Sequence, residues 1–248
     1  MSFAVLRRFA LRLGLLCAAA GLAGPERARA EDDRAAPLVV VELFTSQGCS
    51  ACPPADALLG DLAERGDVLA LSLHVDYWDY LGWRDVFAHP MFTKRQKAYR
   101  EAAGARSIYT PQMIVHGASA LVGSRRDDVL AEIAQAHAAP APAQVELMRE
   151  GDRIEVRVAP TGTAAPAAIA WYVTYRTPAP VVIKRGENAG RALIYRNVVD
   201  GWMKLGAWDG QGTIVWTPPA PAQEGGVAVI LQAGQGYGPI LAAARLQD

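Results

Sequence analysis

The sequence predicts an α/β layer fold in its first half and an all-β, sandwich-like second half. Up to about residue 137, short apolar runs alternate with helix-period segments, the pattern of an α/β fold. Residues 138–143, Ala-Ala-Pro-Ala-Pro-Ala, read as a linker. Beyond them come strand-like runs with turn signals between them at roughly ten-residue spacing. The expected organisation is a leader over 1–30, an α/β domain over 31–140 and a β-sandwich-like domain over 141–248.

The elements follow in order. Residues 38–44, Leu-Val-Val-Val-Glu-Leu-Phe, are apolar on both sides of a pleat, as in a strand covered on both faces. A helix is predicted over 53–65 and a second buried strand over 68–75. A helix over 92–103 is stopped by Gly104, and a third strand covers 112–116. The last helix of this half is predicted over 127–137, with Ser124 as N-cap and Asp127 placed for a capping-box-like pair. After the linker, a turn at 150–152 precedes the period-two run 153–158. Further strands are predicted over 168–175, 181–184, 192–199, 213–216, 227–232 and 240–246. The apolar inner faces are expected to include Trp171 or Val173, Ile194 and Val229.

The N-terminus reads as an export signal. Arg7, Arg8 and Arg12 precede an apolar stretch from 13 to 23, too short to span a bilayer, and Ala28-Arg29-Ala30 fits a cleavage site. The alternative is an N-terminal membrane anchor. Leu16 before Cys17 is too bulky for a usual lipobox. Cleavage removes five of 25 basic residues and one of 25 acidic ones, leaving 20 against 24 and a net charge of −4. That balance gives no electrostatic case for nucleic acid or an anionic membrane surface. The expected product is periplasmic or secreted, without stable membrane insertion, and about 218 residues are enough to bury a core without disulfide staples.

Of three cysteines, Cys17 leaves with the leader, and Cys49 and Cys52 remain as a Cys-x-x-Cys. The pair follows an apolar strand and opens a helix. Unpaired N–H groups and the dipole at a helix start favour thiolate over thiol, and thiolate is the species that attacks disulfides. A redox pair is one reading; a static disulfide and a pair of metal ligands are the others. A loop with two intervening residues removes little unfolded-state entropy, which weakens the static reading. A metal would need further ligands, with His74 and His116 the candidate imidazoles. Glu42 is an acid in an otherwise apolar strand, costly to bury unless paired or protonated. Its alternative is a strand-end carboxylate that reaches solvent. Asp76 and Asp79 lack the spacing of a cation cage. The aromatic residues between 77 and 99, Trp78 among them, read either as packing or as a substrate groove, and 185–190 as a hairpin loop.

The Cys-x-x-Cys after a strand, with Tyr109-Thr110-Pro111-Gln112 before a later strand, resembles the thioredoxin fold over roughly residues 37–137. The resemblance implies a thioredoxin-like first domain and a cis Thr110–Pro111 bond in a loop facing the dithiol. It also implies that Thr110 offers backbone hydrogen bonds to an extended substrate, with Tyr109 and Trp78 beside it. Cys49 becomes the attacking thiolate, nearer solvent, and Cys52 the resolving one. Glu42 becomes the acid that exchanges a proton with Cys52. Gln47-Gly48 stands where thioredoxin carries a Trp before the dithiol, and Ser50-Ala51 is the intervening pair. A closer resemblance is to the exported family DUF1223, carried by residues 41–56, His74-Val75-Asp76-Tyr77-Trp78-Asp79, Tyr109-Thr110-Pro111-Gln112 and Arg185-Gly186-Glu187-Asn188.

The function expected from these observations is thiol–disulfide exchange on a protein or peptide partner, with no cofactor beyond the redox-active disulfide. The alternatives are a Cu(I)-type metal carrier using Cys49, Cys52 and His74, and a non-catalytic binding module on a thioredoxin-like scaffold. The direction of electron flow, the partner's identity and the oligomeric state are left open.

Overall fold

The computed structural model describes residues 37–246, so the expected leader at 1–30 lies outside the described residues. β1 (Val39–Thr45) is buried at all seven positions because it lies inside a sheet covered on both faces. It pairs in parallel with β2 (Val68–His74), also buried throughout, and antiparallel with β3 (Gln112–Val115). β3 continues into β4 (Ser119–Val122). β4 is short and half-exposed, and its weak pattern left it unpredicted.

Alternation along β1 divides the first half into two layers. Val39, Val41 and Leu43 face α1 (Pro53–Ala63) and α3 (Arg126–Ala138). Pro53 and Pro54 supply the fixed φ suited to the first turn of α1. Ala55, Leu58, Leu59 and Leu62 form its buried stripe, with Asp56 among them. Val40 and Phe44 face the other way, in the same core as Phe92 and Tyr99 of α2 (Pro90–Ala102). The N-cap of α3 is Arg125, without a side-chain cap, rather than the expected Ser124.

The linker joins α3 to β5 (Ala143–Glu150), and the strands beyond it divide among the main sheet, a three-stranded sheet and a two-stranded pair. The main sheet has eight strands in the order β13-β12-β7-β10-β2-β1-β3-β4, drawn from both sides of the linker. Its second-half members are β7 (Ala168–Arg176), β10 (Val198–Trp208), β12 (Gly226–Ala233) and β13 (Ile240–Arg245), joined to the first half at Val198↔Ser72. The sheet curls until its far end returns to β1 and β3. The Ile240 N–H donates to the His116 carbonyl, whose own N–H donates to Val40. A three-stranded sheet, β11 (Ile214–Trp216), β6 (Arg153–Pro160) and β5, packs Ile154, Val156 and Val158 against Tyr172, Val229 and Leu231.

Val173 and Val229 are fully buried as expected, in different core clusters, but Ile194 is 59% exposed. Leu193 and Tyr195 on either side of it turn inward, so the register is one residue away from the expected one. The predicted strand over 192–199 resolves into the two-residue β9 (Ala192–Leu193), paired with β8 (Val181–Val182), and the start of β10.

Candidate functional site

Cys49 and Cys52 form a disulfide across the turn between β1 and α1, with Cα atoms 5.4 Å apart. Cys52 is the N-cap of α1, and its carbonyl accepts from the Ala55 and Asp56 N–H groups. The sulfur pair therefore sits at the positive end of the helix. Ser50 and Ala51 are exposed, yet Cys49 is only 1% exposed and Cys52 is fully buried. This corrects the expectation that Cys49 faces solvent.

The loop between β8 and β9 accounts for part of that cover. Buried Asn188 donates through Nδ2 to the carbonyls of Gln47 (3.0 Å) and Cys49 (2.9 Å). Glu187 accepts a 2.6 Å hydrogen bond from Ser50 Oγ. Residues 185–190 are a hairpin loop, but one docked on the cysteine turn from about 140 residues away in sequence. On the other side stands Trp78. A Cβ at position 48 would lie 3.2 Å from Trp78 Cβ and 3.3 Å from its carbonyl, so glycine allows this close approach.

Below the turn lies a buried polar cluster. Thr45 Oγ1 donates to Asp56 Oδ1 at 2.8 Å. Asp56 is four residues after Cys52 on α1, the spacing that places two side chains on one helix face. His74, at the end of β2, pairs through Nδ1 with Asp85 Oδ2 at 2.7 Å, with both side chains fully buried. Asp85 also accepts from the Gln47 N–H, and Gln47 Oε1 accepts from Trp83 Nε1. Tyr195 packs edge-on against His74 at 4.7 Å between ring centroids. Asp56 Oδ2, His74 Nε2 and Tyr195 Oη are buried without a hydrogen-bond partner.

Burial pushes the Asp56 carboxyl up to about 7; the fields of His74 and the Thr45 hydroxyl oppose the rise, and Asp85 adds to it. Burial likewise raises the Tyr195 phenol, reinforced by Asp56 and Asp85.

Glu42 belongs to a different cluster. It is buried but paired, which overturns the strand-end alternative. Arg95 Nε donates to its Oε2 at 2.5 Å and Nη2 to its Oε1 at 2.9 Å, and Tyr99 adds a third hydrogen bond. Alternation along β1 turns Glu42 with Val40 and Phe44 away from the face that carries α1. Proton exchange between Glu42 and Cys52 therefore has no geometric support.

The Thr110–Pro111 bond is cis, as the resemblance implies. Trp78 Nε1 donates to Thr110 Oγ1 at 2.8 Å, so Trp78 connects the glycine before the dithiol to the proline loop. Tyr109 is half-buried, and its carbonyl accepts from Gln96. Asp76 accepts from Thr93, and Asp79 from the Asp85 N–H. Burial lowers His116 to about 4. Among the described residues, no three His, Cys, Asp or Glu side chains are grouped to hold a metal; Cys49, Cys52 and His74 do not form such a set.

Asp56, Asp85, Gln47, Tyr195 and Asn188 are absent from the sequence-predicted site. Asp56 had a legible signal, an acid in the buried stripe of α1 four residues after Cys52. Asn188 had none beyond its place in a resemblance block.

These elements define an α/β protein with a large mixed sheet and a covered Cys-x-x-Cys disulfide at a helix start. The chain belongs to the DUF1223 family of proteins of unknown function, matching it over residues 40–232. No curated protein matches it. Among solved structures it is similar to protein AGR_C_4864 from Agrobacterium tumefaciens, at 31% identity, covering 84% of this chain and 93% of that one, with a TM-score of 0.72. It is similar in fold alone to HBP35 of Porphyromonas gingivalis, at 16% identity, 85% and 74% coverage and a TM-score of 0.58.

Proposed function

We propose that this is an exported thiol–disulfide exchange protein that acts on a protein or peptide partner through Cys49 and Cys52. The observation that carries the reading is the disulfide at the start of α1 with the buried, protonatable Asp56 one turn further along. The order β1–α1–β2–α2–β3–β4–α3 supports a thioredoxin-like reading of the first half.

In the oxidised state a partner thiolate attacks Cys49 Sγ. The Cys49–Cys52 bond breaks, a mixed disulfide forms, and Cys52 leaves as a thiolate that takes a proton from Asp56. A second partner thiolate then attacks the partner sulfur of the mixed disulfide and expels the Cys49 thiolate. The partner dithiol becomes a disulfide and the protein disulfide a dithiol, so atoms and electrons balance. In the reverse direction ionised Asp56 accepts the Cys52 proton as Cys52 attacks Cys49 Sγ. The helix start stabilises whichever sulfur carries the charge. Asp56 suits both directions because its proton affinity lies near neutral pH. The loop carrying Asn188 must release the Cys49 carbonyl for a partner to reach the sulfur. Thr110 and Trp78, both part-exposed, supply the neighbouring surface for an extended partner chain, with buried Pro111 setting the turn of the loop.

The test is covalent trapping in the exported compartment. Cys52→Ala should accumulate mixed disulfides that a reductant releases, and Cys49→Ala should accumulate fewer. Absence of adducts, with a disulfide that resists dithiothreitol in the folded protein, would leave a static bridge. Partner capture that survives loss of both cysteines would favour the binding-module reading.

A further inference from the structure

On the sheet face away from α1, the Glu42–Arg95 pair borders a cavity of about 230 Å³. Lys94 and Arg95 of α2, Trp171 of β7, Trp202 of β10 and Tyr237 of the β12–β13 connection line it. The Arg95 guanidinium carbon lies 3.9 Å from the Trp202 ring centroid and 5.8 Å from those of Trp171 and Tyr237. The arginine is thus buried in an aromatic box and only 4% exposed.

Its hydrogen bonding is one-sided. Nε and Nη2 are occupied by Glu42, and Nη2 also reaches Tyr99 and Gln232. Nη1 has no acceptor, and neither do the indole N–H groups of Trp171 and Trp202. Leaving a buried donor unpaired costs about 1–3 kcal/mol, and native proteins tolerate few. Here three such donors, carried by three different elements, belong to residues lining one cavity. None of the lining residues is acidic, and Lys94 adds a positive charge beyond the neutralised Glu42–Arg95 pair.

The box is also built into the backbone. Gly236 has φ +90°, and a Cβ there would lie 2.6 Å from Trp171 Cζ2. Glycine therefore lets the Trp171 ring close against the chain at that wall.

We infer that this cavity is a binding site for a small aromatic carboxylate. The carboxylate would supply acceptor oxygens to Arg95 Nη1 and the indole N–H groups, and the ring would pack among Trp171, Trp202 and Tyr237. The volume lies below the roughly 300–1,000 Å³ of sites for drug-sized ligands, which selects a fragment-sized molecule. The site lies across the sheet from the disulfide and uses neither cysteine.

The probe is benzoate, with benzamide as its uncharged analogue and inorganic phosphate as a bare anion. Titrations of the full exported chain are followed by the indole N–H resonances. Benzoate should move the Trp171 and Trp202 signals saturably, with benzamide at least about tenfold weaker, a difference of roughly 1.4 kcal/mol, and phosphate without effect. Trp202→Phe keeps a ring and removes one donor. It should weaken benzoate several-fold, with the Trp171 signal as the readout. Trp171→Phe gives the reciprocal test, and neither substitution removes a partner of the Glu42–Arg95 bonds. The inference is overturned if millimolar benzoate leaves both signals in place, if benzamide binds as tightly, or if phosphate moves the same signals. Unchanged benzoate affinity in both folded variants would also overturn it.

Discussion

A carboxyl held near 7 inside α1 gives the protein a pH signature of its own. The unfolded chain ionises Asp56 from about its ordinary value of 3.8, whereas the folded chain keeps the proton to about 7. Between these values the folded state binds more protons, so this group's contribution to stability falls as pH rises from about 4 to 7 and is flat above. The groups that face Asp56 are Thr45, His74, Asp85 and Tyr195. Asp56→Asn keeps an acceptor for Thr45 and should remove this part of the slope. Denaturant unfolding of the oxidised proteins should find the variant more stable at pH 8, by on the order of a few kcal/mol, and about equal near pH 4. The same substitution should slow mixed-disulfide resolution at neutral pH, measured by rapid mixing, while initial attack by Cys49 changes little. An unchanged resolution rate would remove Asp56 from the proton path. Asn188→Ala loses both carbonyl contacts over the cysteine turn. Reduction of the disulfide by dithiothreitol, followed by thiol release, should then be several-fold faster; no change would mean that the loop does not gate access.

Asp85 ties the segment between β2 and α2 to the cysteine turn and to β2. Its carboxylate accepts from the Gln47 and Phe87 N–H groups and pairs with His74. Asp85→Ala should leave the buried Gln47 N–H and His74 without this partner and destabilise by roughly 3 kcal/mol or more, visible as a lower thermal midpoint. Asp85→Asn retains one acceptor and should lose less. If the alanine variant matched the wild type, the segment would be held by its aromatic packing instead. How far each element was legible follows from its period. The strand over 38–44, the helix at 53 and the strand over 227–232 had dense apolar patterns, with Glu42 and Asp56 the acids inside the first two. β10 mixes buried and exposed positions and has two bulges against β7, which break the alternation that sequence pattern relies on.

The large sheet makes both halves of the chain parts of one structure. A fragment ending at residue 140 would lack the strand paired with β2 and would lose Asn188 and Tyr195 from the site. It should fail to unfold cooperatively and should expose its cysteines to alkylation after mild reduction. A cooperative transition with protected thiols would mean the first half folds by itself. By itself the sequence determined the covered central strand, the helix that begins at the cysteines and the family, because each depends on local period, local spacing or contiguous residues. The tertiary structure alone decided what pairs with each buried acid and which loop covers the disulfide. Glu42 and Asp56 are both buried carboxyls near the dithiol in sequence. Strand alternation turns Glu42 toward Arg95, and helix periodicity places Asp56 on the side of Cys52. Asn188 reaches the site only because the curled sheet and its surface loop return to the cysteine turn, a closure between distant residues that no local pattern encodes.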